Sequence, residues 1–196
     1  ILVTGASGNA GREVVAALLA RGHAVRAATR DGRAAPGAEG VAFDFEAPAT
    51  WDAALSGVRG AFLLRPPALA DMARSLVPFV ARIRERDAAP IVFLSVQGAE
   101  SSRLVPHRAV EDALVAGPPD WTLLRPGFFA QNLCDAYRRD IRQDSCLYLP
   151  AGEGRVAFVD LRDVAEVAAM ALTDPAAHAG RAYALTGQQS VSFAEV

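Results

Sequence analysis

Three glycines near the start of the chain, Gly5, Gly8 and Gly11, follow a short apolar run and precede a helical pattern. Glycine at the end of a strand permits a tight turn, a second glycine lets a phosphate approach the backbone, and a third lets the following helix pack closely. The amides that open such a helix attract anions. The spacing favours a pyrophosphate-binding turn over an ordinary strand, turn and helix. Its expected contacts are Gly5, Ala6, Ser7, Gly8, Asn9 and Ala10.

The end of the second apolar run indicates which dinucleotide this turn would bind. Folds that prefer NAD carry an acidic residue there for the ribose 2′-hydroxyl, whereas this chain has Thr29 and Arg30. The planar guanidinium of Arg30 can pair with a 2′-phosphate, and Arg12 could assist. NADP (as NADPH) is therefore favoured. NAD stays the alternative, because Asp31 would lie near the ribose if the strand ended one residue later.

Further contacts are expected at the ends of later strands, because ligands of such sheets bind at the carboxyl edge. The expected residues are Asp44 and Phe45 at the adenine, Leu64, Arg65 and Pro66 at the middle of the dinucleotide, Ser95, Val96 and Gln97 at the nicotinamide half, and Gly127 in the turn after the sixth strand.

Strands and helices must alternate along the chain to position these residues. Apolar runs of strand character and amphipathic helical patterns do alternate, which predicts an α/β fold with a doubly wound parallel sheet, a Rossmann fold. We expect one domain over residues 1–196, in which about 131–196 contribute a small substrate-side lobe. In that lobe SCLYLPAG and RVAFVD are expected to pair as short strands. Ser192 and Glu195 have the spacing of a capping box that opens a helix, so we expect the C-terminal cap to be incomplete.

Composition limits the classes of function. The chain has 196 residues, 52% of them hydrophobic, which is enough for one globular core. A net charge of −2 gives no reason to expect nucleic acid or a membrane as partner. All 20 basic residues are arginine, which excludes a Walker A lysine, a Schiff-base lysine and a Tyr-x-x-x-Lys pair. The cysteines, Cys134 and Cys146, suggest neither a metal site nor a disulfide, so we expect a cytoplasmic location.

Several segments together resemble the NmrA-like branch of the atypical short-chain dehydrogenases over essentially the whole chain. They are TGASGNAGR, the arginine that ends the second strand, FLSVQGA, PHRAVEDAL and WTLLRPGFFAQNL. The resemblance implies a fold that binds NADP(H). It implies either an NADPH-dependent reductase of quinones, dyes or phenylpropanoids, similar to bacterial quinone reductases, or a non-catalytic redox sensor that acts through a protein partner. A homodimer is kept open, and an epimerase or dehydratase of nucleotide sugars is the least favoured alternative.

The same resemblance implies a role for His107, which stands where reductases of this group often carry a lysine, four residues before Glu111. His107 is therefore the catalytic candidate, either as a hydrogen-bond partner of the nicotinamide ribose or as a proton donor near the reduced carbonyl. The alternative is a surface His–Glu pair one helical turn apart.

The substrate is expected to lie beside Phe128, Phe129 and Asn132. Hydride transfer to a quinone needs ring stacking and exclusion of solvent more than a strong acid, because the reduced quinone is a stabilised phenolate. The leading prediction is an NADPH-dependent oxidoreductase acting on a quinone-like or conjugated carbonyl small molecule. Arg125, a charge on an apolar strand, needs a partner, which we expect to be Asp160 or Asp163.

Overall fold

The computed structural model describes residues 1–196. It contains nine strands: β1 Leu2–Thr4, β2 Arg26–Thr29, β3 Glu39–Ala42, β4 Ala61–Leu64, β5 Ile91–Leu94, β6 Trp121–Pro126, β7 Arg155–Val156, β8 Arg181–Leu185 and β9 Val191–Ser192. Seven of them form one parallel sheet in the order β3-β2-β1-β4-β5-β6-β8. The chain reverses direction across the sheet between β1 and β4, which confirms the predicted doubly wound fold.

Helices cover both faces of this sheet. They are α1 Asn9–Ala20, α2 Trp51–Leu55, α3 Met72–Glu85, α4 His107–Val115, α5 Arg138–Asp144, α6 Leu161–Thr173 and α7 Pro175–His178, with 3-10 turns at Pro48–Thr50 and Ala130–Leu133. Residues of α1 and α6 form the core on one face, and residues of α2, α3 and α4 form the core on the other. None of the helices has the length and apolar character needed to cross a membrane.

Strand β5 shows why the central strands are apolar at every position. Ile91 and Phe93 pack into one core, Val92 and Leu94 into the other, and all four are buried. Complete burial of such a side chain contributes roughly 1.5–3 kcal/mol. A strand with a core on each face therefore has no polar alternation, as parallel sheets require.

The register of the sheet brings the expected site residues to one edge. Leu64 of β4, Leu94 of β5 and Leu124 of β6 lie side by side across the sheet. The residues that follow them, including Arg65 and Ser95, therefore emerge at the same carboxyl edge.

One prediction about the C-terminal part is wrong in detail. SCLYLPAG forms no strand, and β7 pairs instead with β9, Arg155 opposite Ser192. The Ser192 amide, at the end of β9, donates to the Glu195 carboxylate at 2.7 Å, as in a capping box, and the helix expected after it stays a prediction. The pairing partner of β7 is thus more than 30 residues away, at a distance that local patterning does not reveal.

Residues 131–196, which we expect to contribute a substrate-side lobe, do not form one separate unit. Within residues 131–196, α6 packs against α1 and β8 completes the main sheet, so residues 161–185 belong to the body of the fold. The remaining segments, 128–160 and 186–196, lie beyond the carboxyl edge. These two segments keep the name "substrate-side lobe", and their role toward a substrate stays a prediction.

Candidate active site

The turn after β1 has the backbone geometry expected of it. Gly5 has a φ of +61°, a conformation that favours glycine. A Cβ at Gly11 would lie 2.1 Å from the Gly5 carbonyl oxygen, so helix α1 packs directly on the turn. Gly8 has a φ of −83°, and a Cβ there would make a tight contact of 3.3 Å with the same oxygen. The tight turn and the close packing are confirmed, while the role of Gly8 toward a phosphate stays a prediction.

Unpaired amides surround this turn. The backbone N–H groups of Ser7, Asn9 and Ala10 have no acceptor in the protein, and no side chain caps α1. These donors lie at the N-terminus of a 12-residue helix, where the partial positive charge attracts anions. Three of the six selected residues thus have free amides that fit a pyrophosphate, whereas the Ala6 amide donates to the Ala28 carbonyl oxygen at 3.4 Å and the Gly8 amide to that of Gly5 at 2.9 Å.

A groove of about 300 Å³ extends from the turn toward the end of β2. Arg12 and Arg33 are the only charged residues in its lining. The Arg12 Nη2 donates to Asn9 Oδ1 at 2.7 Å, and the Thr29 hydroxyl donates to the Arg33 carbonyl oxygen at 2.8 Å, which holds the loop. The lining is completed by Ala6, Ser7, Val15, Ala27, Thr29, Ala34 and Ala35.

Arg30 and Asp31, the residues on which the cofactor prediction rested, lie beside this groove and not in its lining. Arg30 is exposed and makes no hydrogen bond or ion pair, so it stays available as a ligand. The Asp31 carboxylate accepts the Arg33 amide at 3.2 Å, which lowers the pKa of Asp31. Sequence reasoning missed Arg33, although a second arginine three residues beyond Arg30 was a usable signal.

The end of β3 requires a correction. The ring of Phe45 is buried in the core against Phe43 and Phe79, so it cannot flank an adenine. The strand ends at Ala42, earlier than expected, and the following turn directs this side chain inward. The Phe45 amide makes no hydrogen bond, and the partly exposed Asp44 carboxylate accepts only the Glu46 amide at 2.9 Å. The Asp44 carboxylate and the Phe45 amide are therefore the groups left for the predicted adenine contact, which stays a prediction.

The end of β4 lies against the glycine turn. A Cβ at Gly5 would come within 2.8 Å of Leu64 Cδ1, so Leu64 contacts the turn. Arg65 is anchored by its Nε, which donates to the Leu69 carbonyl oxygen at 2.5 Å. Pro66 follows with a partly exposed ring. These residues occupy the centre of the carboxyl edge, between the groove and the ends of β5 and β6.

His107 begins α4, with its ring centroid 6.0 Å from that of Phe93. Its Nδ1 is buried and has no hydrogen-bond partner. Burial lowers the pKa of His107, the positive charge of Arg65 lowers it further, and Glu111 opposes the shift. The imidazole is therefore neutral at neutral pH and carries an unsatisfied polar atom, which is costly unless a ligand supplies a partner.

Glu111 does not form the surface pair with His107 that we considered. It is 3% exposed, and its Oε1 accepts the Ser95 hydroxyl at 2.5 Å. The guanidinium of Arg125 donates to both carboxylate oxygens, at 3.0 and 2.7 Å. The predicted partners of Arg125 are thus wrong, because α4 lies over β5 and β6 and brings Glu111 to them. Asp160 instead accepts Gln131 at 2.8 Å.

Ser95 lies beneath the site. It is 1% exposed. Its hydroxyl donates to the Glu111 carboxylate, and its amide donates to the Leu124 carbonyl oxygen at 2.8 Å. Its side chain therefore supports the site without facing it.

A cavity of about 560 Å³ opens at the ends of β5 and β6. It brings together five residues that the sequence selected: Val96, Gln97, Gly127, Phe128 and Phe129. The sequence did not select the others, which are Pro126, Arg155, Val156, Ala157, Thr186 and Ser190. Neither Asn132 nor His107 lines it. The missed wall consists largely of β7 and the segment before β9, whose pairing the sequence did not reveal.

Two features fix the aromatic wall. Phe128 stacks on Tyr137 with ring centroids 6.0 Å apart and meets the edges of Phe158 and Phe193. The backbone on either side of Phe129 pairs with Val159 through hydrogen bonds of 3.0 Å. Gly127 lies so close to Gln97 that a Cβ would be 3.2 Å from its Oε1. The wall is therefore held in place at several points.

The sequence profile of the NAD(P)H-binding family matches residues 5–175. The whole chain is 34% identical to an NAD(P)H azoreductase of Xenophilus azovorans and covers 71% of it. The NADP(H) complex of the Citrobacter sp. triphenylmethane reductase is 25% identical, with a TM-score of 0.84, over 99% of this chain and 72% of that one. An NADPH-dependent quinone oxidoreductase of Escherichia coli, complexed with NADPH, shares the fold at 24% identity and a TM-score of 0.85, over 99% of this chain and 71% of that one.

These matches include both ends of the site, the glycine turn and the residues at the carboxyl ends of β5 and β6. The profile begins at Gly5 and extends through α6. The chain therefore belongs to the NAD(P)H-binding family and is an NAD(P)H-dependent oxidoreductase with the fold of the atypical short-chain dehydrogenases.

Proposed function

We propose that this protein uses NADPH to reduce a quinone-like or conjugated carbonyl acceptor in the cavity between Gly127 and Phe129. The observation that carries the proposal is the aromatic-walled cavity at the ends of β5 and β6, where a doubly wound fold holds the nicotinamide half of its cofactor. When bound, NADPH supplies a hydride. The protein's part is to align a planar acceptor and exclude water.

The preference for NADPH rests on the groove beside β2. Arg12 and Arg33 line it, no acidic residue does, and Arg30 lies next to it. Guanidinium groups pair with a phosphate through two parallel hydrogen bonds, which favours a 2′-phosphate over a 2′-hydroxyl. The Ser7, Asn9 and Ala10 amides would hold the pyrophosphate.

His107 is assigned a hydrogen bond to the nicotinamide ribose and not the role of acid. Its lowered pKa makes the neutral imidazole the main form at neutral pH, and a neutral imidazole is a poor proton donor. The chain has no lysine to replace it. An acceptor whose reduced form is a stabilised phenolate needs no such acid, since water can protonate it, and this favours quinones over simple ketones.

The acceptor is assigned to the wall formed by Phe128 and Phe129. Planar rings pack well against aromatic side chains in offset or edge-to-face arrangements. Asn132 lies just beyond this wall, with a side chain that makes no hydrogen bond, and stays the predicted contact for the outer end of an acceptor.

The experiment is NADPH oxidation, followed at the nicotinamide absorbance, across benzoquinones, naphthoquinones, azo dyes and triphenylmethane dyes. We expect turnover with quinones and a higher kcat/KM with NADPH than with NADH. Tight binding of NADPH, measured by calorimetry, without oxidation by any acceptor would overturn the proposal. That outcome would favour the alternative of an NADP(H)-binding regulator, and a search for a protein partner would then follow.

A further inference from the structure

We propose that the acceptor carries an acidic group, such as a sulfonate, carboxylate or phosphate, and that Arg155 binds it. This inference rests on the proposed function for the chemistry of the ring and adds the class of its substituent. Arg155 is the only charged residue in the lining of the cavity. A single cation in a cavity with neutral walls attracts ligands of opposite charge.

The guanidinium of Arg155 retains free donors. Its Nη2 donates to the Ser190 carbonyl oxygen at 2.7 Å and contacts the Glu195 carboxylate at 3.0 Å. Its Nε and Nη1 have no acceptor in the protein. Because a guanidinium offers donors along two edges, one edge can be fixed by the protein while the other binds an oxyanion.

Glu195 competes for this charge without cancelling it. The two side chains are 51% and 52% exposed, and ion pairs at such exposure contribute little. The Glu195 carboxylate is held in place by the Ser192 amide at 2.7 Å. It therefore orients the guanidinium and leaves a ligand able to approach from the cavity.

Two hydroxyl groups support the same conclusion. Thr186 and Ser190 line the cavity, and neither side-chain oxygen takes part in a hydrogen bond within the protein. Hydroxyls rotate to donate where an acceptor is available. Together with Arg155 they form a donor-rich wall, while Phe128 and Phe129 form an aromatic one. This pairing fits a planar ring with an oxyanion substituent.

The test compares 1,4-naphthoquinone with 1,4-naphthoquinone-2-sulfonate in the wild type, Arg155→Leu, Arg155→Lys and Glu195→Gln. The measured quantity is the ratio of the two kcat/KM values at saturating NADPH, because the intrinsic reactivity of each quinone cancels between variants. We expect Arg155→Leu to lower the preference for the sulfonate about tenfold, the value of one charge-assisted hydrogen bond. Arg155→Lys should keep part of it, and Glu195→Gln should raise it.

Arg139→Leu is the matched control, because Arg139 is an exposed arginine of the substrate-side lobe that does not line the cavity. Its ratio should equal that of the wild type. Circular dichroism and the thermal midpoint establish that each variant folds. An equal ratio in the wild type and Arg155→Leu, with both quinones reduced, would overturn this inference and leave the proposed function standing.

A second measurement separates the two proposals in the other direction. Calorimetric titration with 1-naphthalenesulfonate and with neutral 1-naphthalenemethanol reports anion binding without any reaction. We expect the sulfonate to bind more tightly to the wild type, and this difference to disappear in Arg155→Leu. If the sulfonate binds more tightly but no quinone is reduced, the proposed function is refuted and anion binding at Arg155 is supported. Equal binding of both compounds by the wild type would refute the anion site.

Discussion

Glu111 and Arg125 form a two-point ion pair beneath the cavity, with N···O distances of 3.0 and 2.7 Å and the Glu111 side chain only 4% exposed. The pair joins α4 to β6, and Ser95 joins the same carboxylate to β5. Since His107 lies one helical turn before Glu111, this network fixes the start of α4 relative to the strands that carry the cavity.

Glu111→Gln should destabilise the protein strongly, because it removes the buried carboxylate partner of Arg125 and leaves only the half-exposed Glu100, at 3.5 Å. Breaking a buried ion pair by removing one member costs about 3–5 kcal/mol. The measurement is urea unfolding followed by circular dichroism. Asp112→Asn is the control, because it removes an ion pair with Arg108 on the same helix whose carboxylate is 58% exposed. We expect that control to cost about 1 kcal/mol or less, and equal effects of the two variants would contradict the burial argument.

Gly11→Ala should disturb both stability and cofactor binding. The added Cβ would lie 2.1 Å from a backbone oxygen of the glycine turn, so α1 must shift, at a cost of about 1–3 kcal/mol. Thermal unfolding and NADPH titration measure the two effects. Gly60→Ala is the control, since a Cβ there meets its nearest atom at 3.4 Å. Wild-type affinity in Gly11→Ala would show that the turn tolerates a displaced helix.

Arg33→Ala should weaken NADPH binding about tenfold or more and leave NADH binding nearly unchanged, since only NADPH has a phosphate to pair with a guanidinium. Fluorescence titration of both nucleotides measures the difference. Arg74→Ala serves as control, because Arg74 is as exposed as Arg33, at 89%, and lies on α3. Arg30→Asp in the same assay tests whether the phosphate is bound by Arg30, which the sequence selected, or by Arg33, which lines the groove. A loss confined to Arg30→Asp would assign the phosphate to Arg30.

His107→Ala should lower kcat/KM for NADPH about tenfold, the contribution of one hydrogen bond to the cofactor. The pH dependence of kcat should keep its shape, because a neutral His107 holds the ribose and transfers no proton. Steady-state kinetics from acid to alkaline pH measure both quantities. Full activity in the variant would remove His107 from the site, and loss of a limb of the pH profile would restore it as an acid.

The lowered pKa of His107 also predicts how stability varies with pH. Below the ordinary pKa of 6.5, His107 binds a proton in the unfolded chain but not in the folded protein. The free energy of unfolding therefore decreases as the pH falls through the folded pKa. Urea unfolding at about pH 7.5 and about pH 5 should show a larger loss in the wild type than in His107→Asn. His23→Asn controls for removal of another histidine, and equal losses in all three proteins would mean that His107 is not held in its neutral form.

The parts of the site that lie at strand ends could be predicted from the sequence. Gly5 and Gly11 follow from backbone sterics, and Gln97 and Phe128 from the rule that parallel strands present ligand contacts at their carboxyl ends. Each of these inferences needs only local pattern and the order of the strands.

The other parts of the site depend on contacts between residues that are far apart in the sequence. The pairing of Glu111 with Arg125 depends on how α4 is rotated over the sheet, and the wall around Arg155 depends on a partner strand 35 residues away. Phe45 shows a different limit, since β3 ends a few residues earlier than expected and the Phe45 side chain enters the core.

The two ends of the site differ in the length of chain needed to build them. Every residue that lines the nucleotide groove lies between positions 6 and 35, whereas the lining of the cavity extends from 96 to 190. During synthesis the residues of the groove therefore leave the ribosome close together, whereas those of the cavity can meet only after β8 and β9 have emerged. Because contacts between distant residues form more slowly than local ones, we expect the cavity to be completed later than the groove.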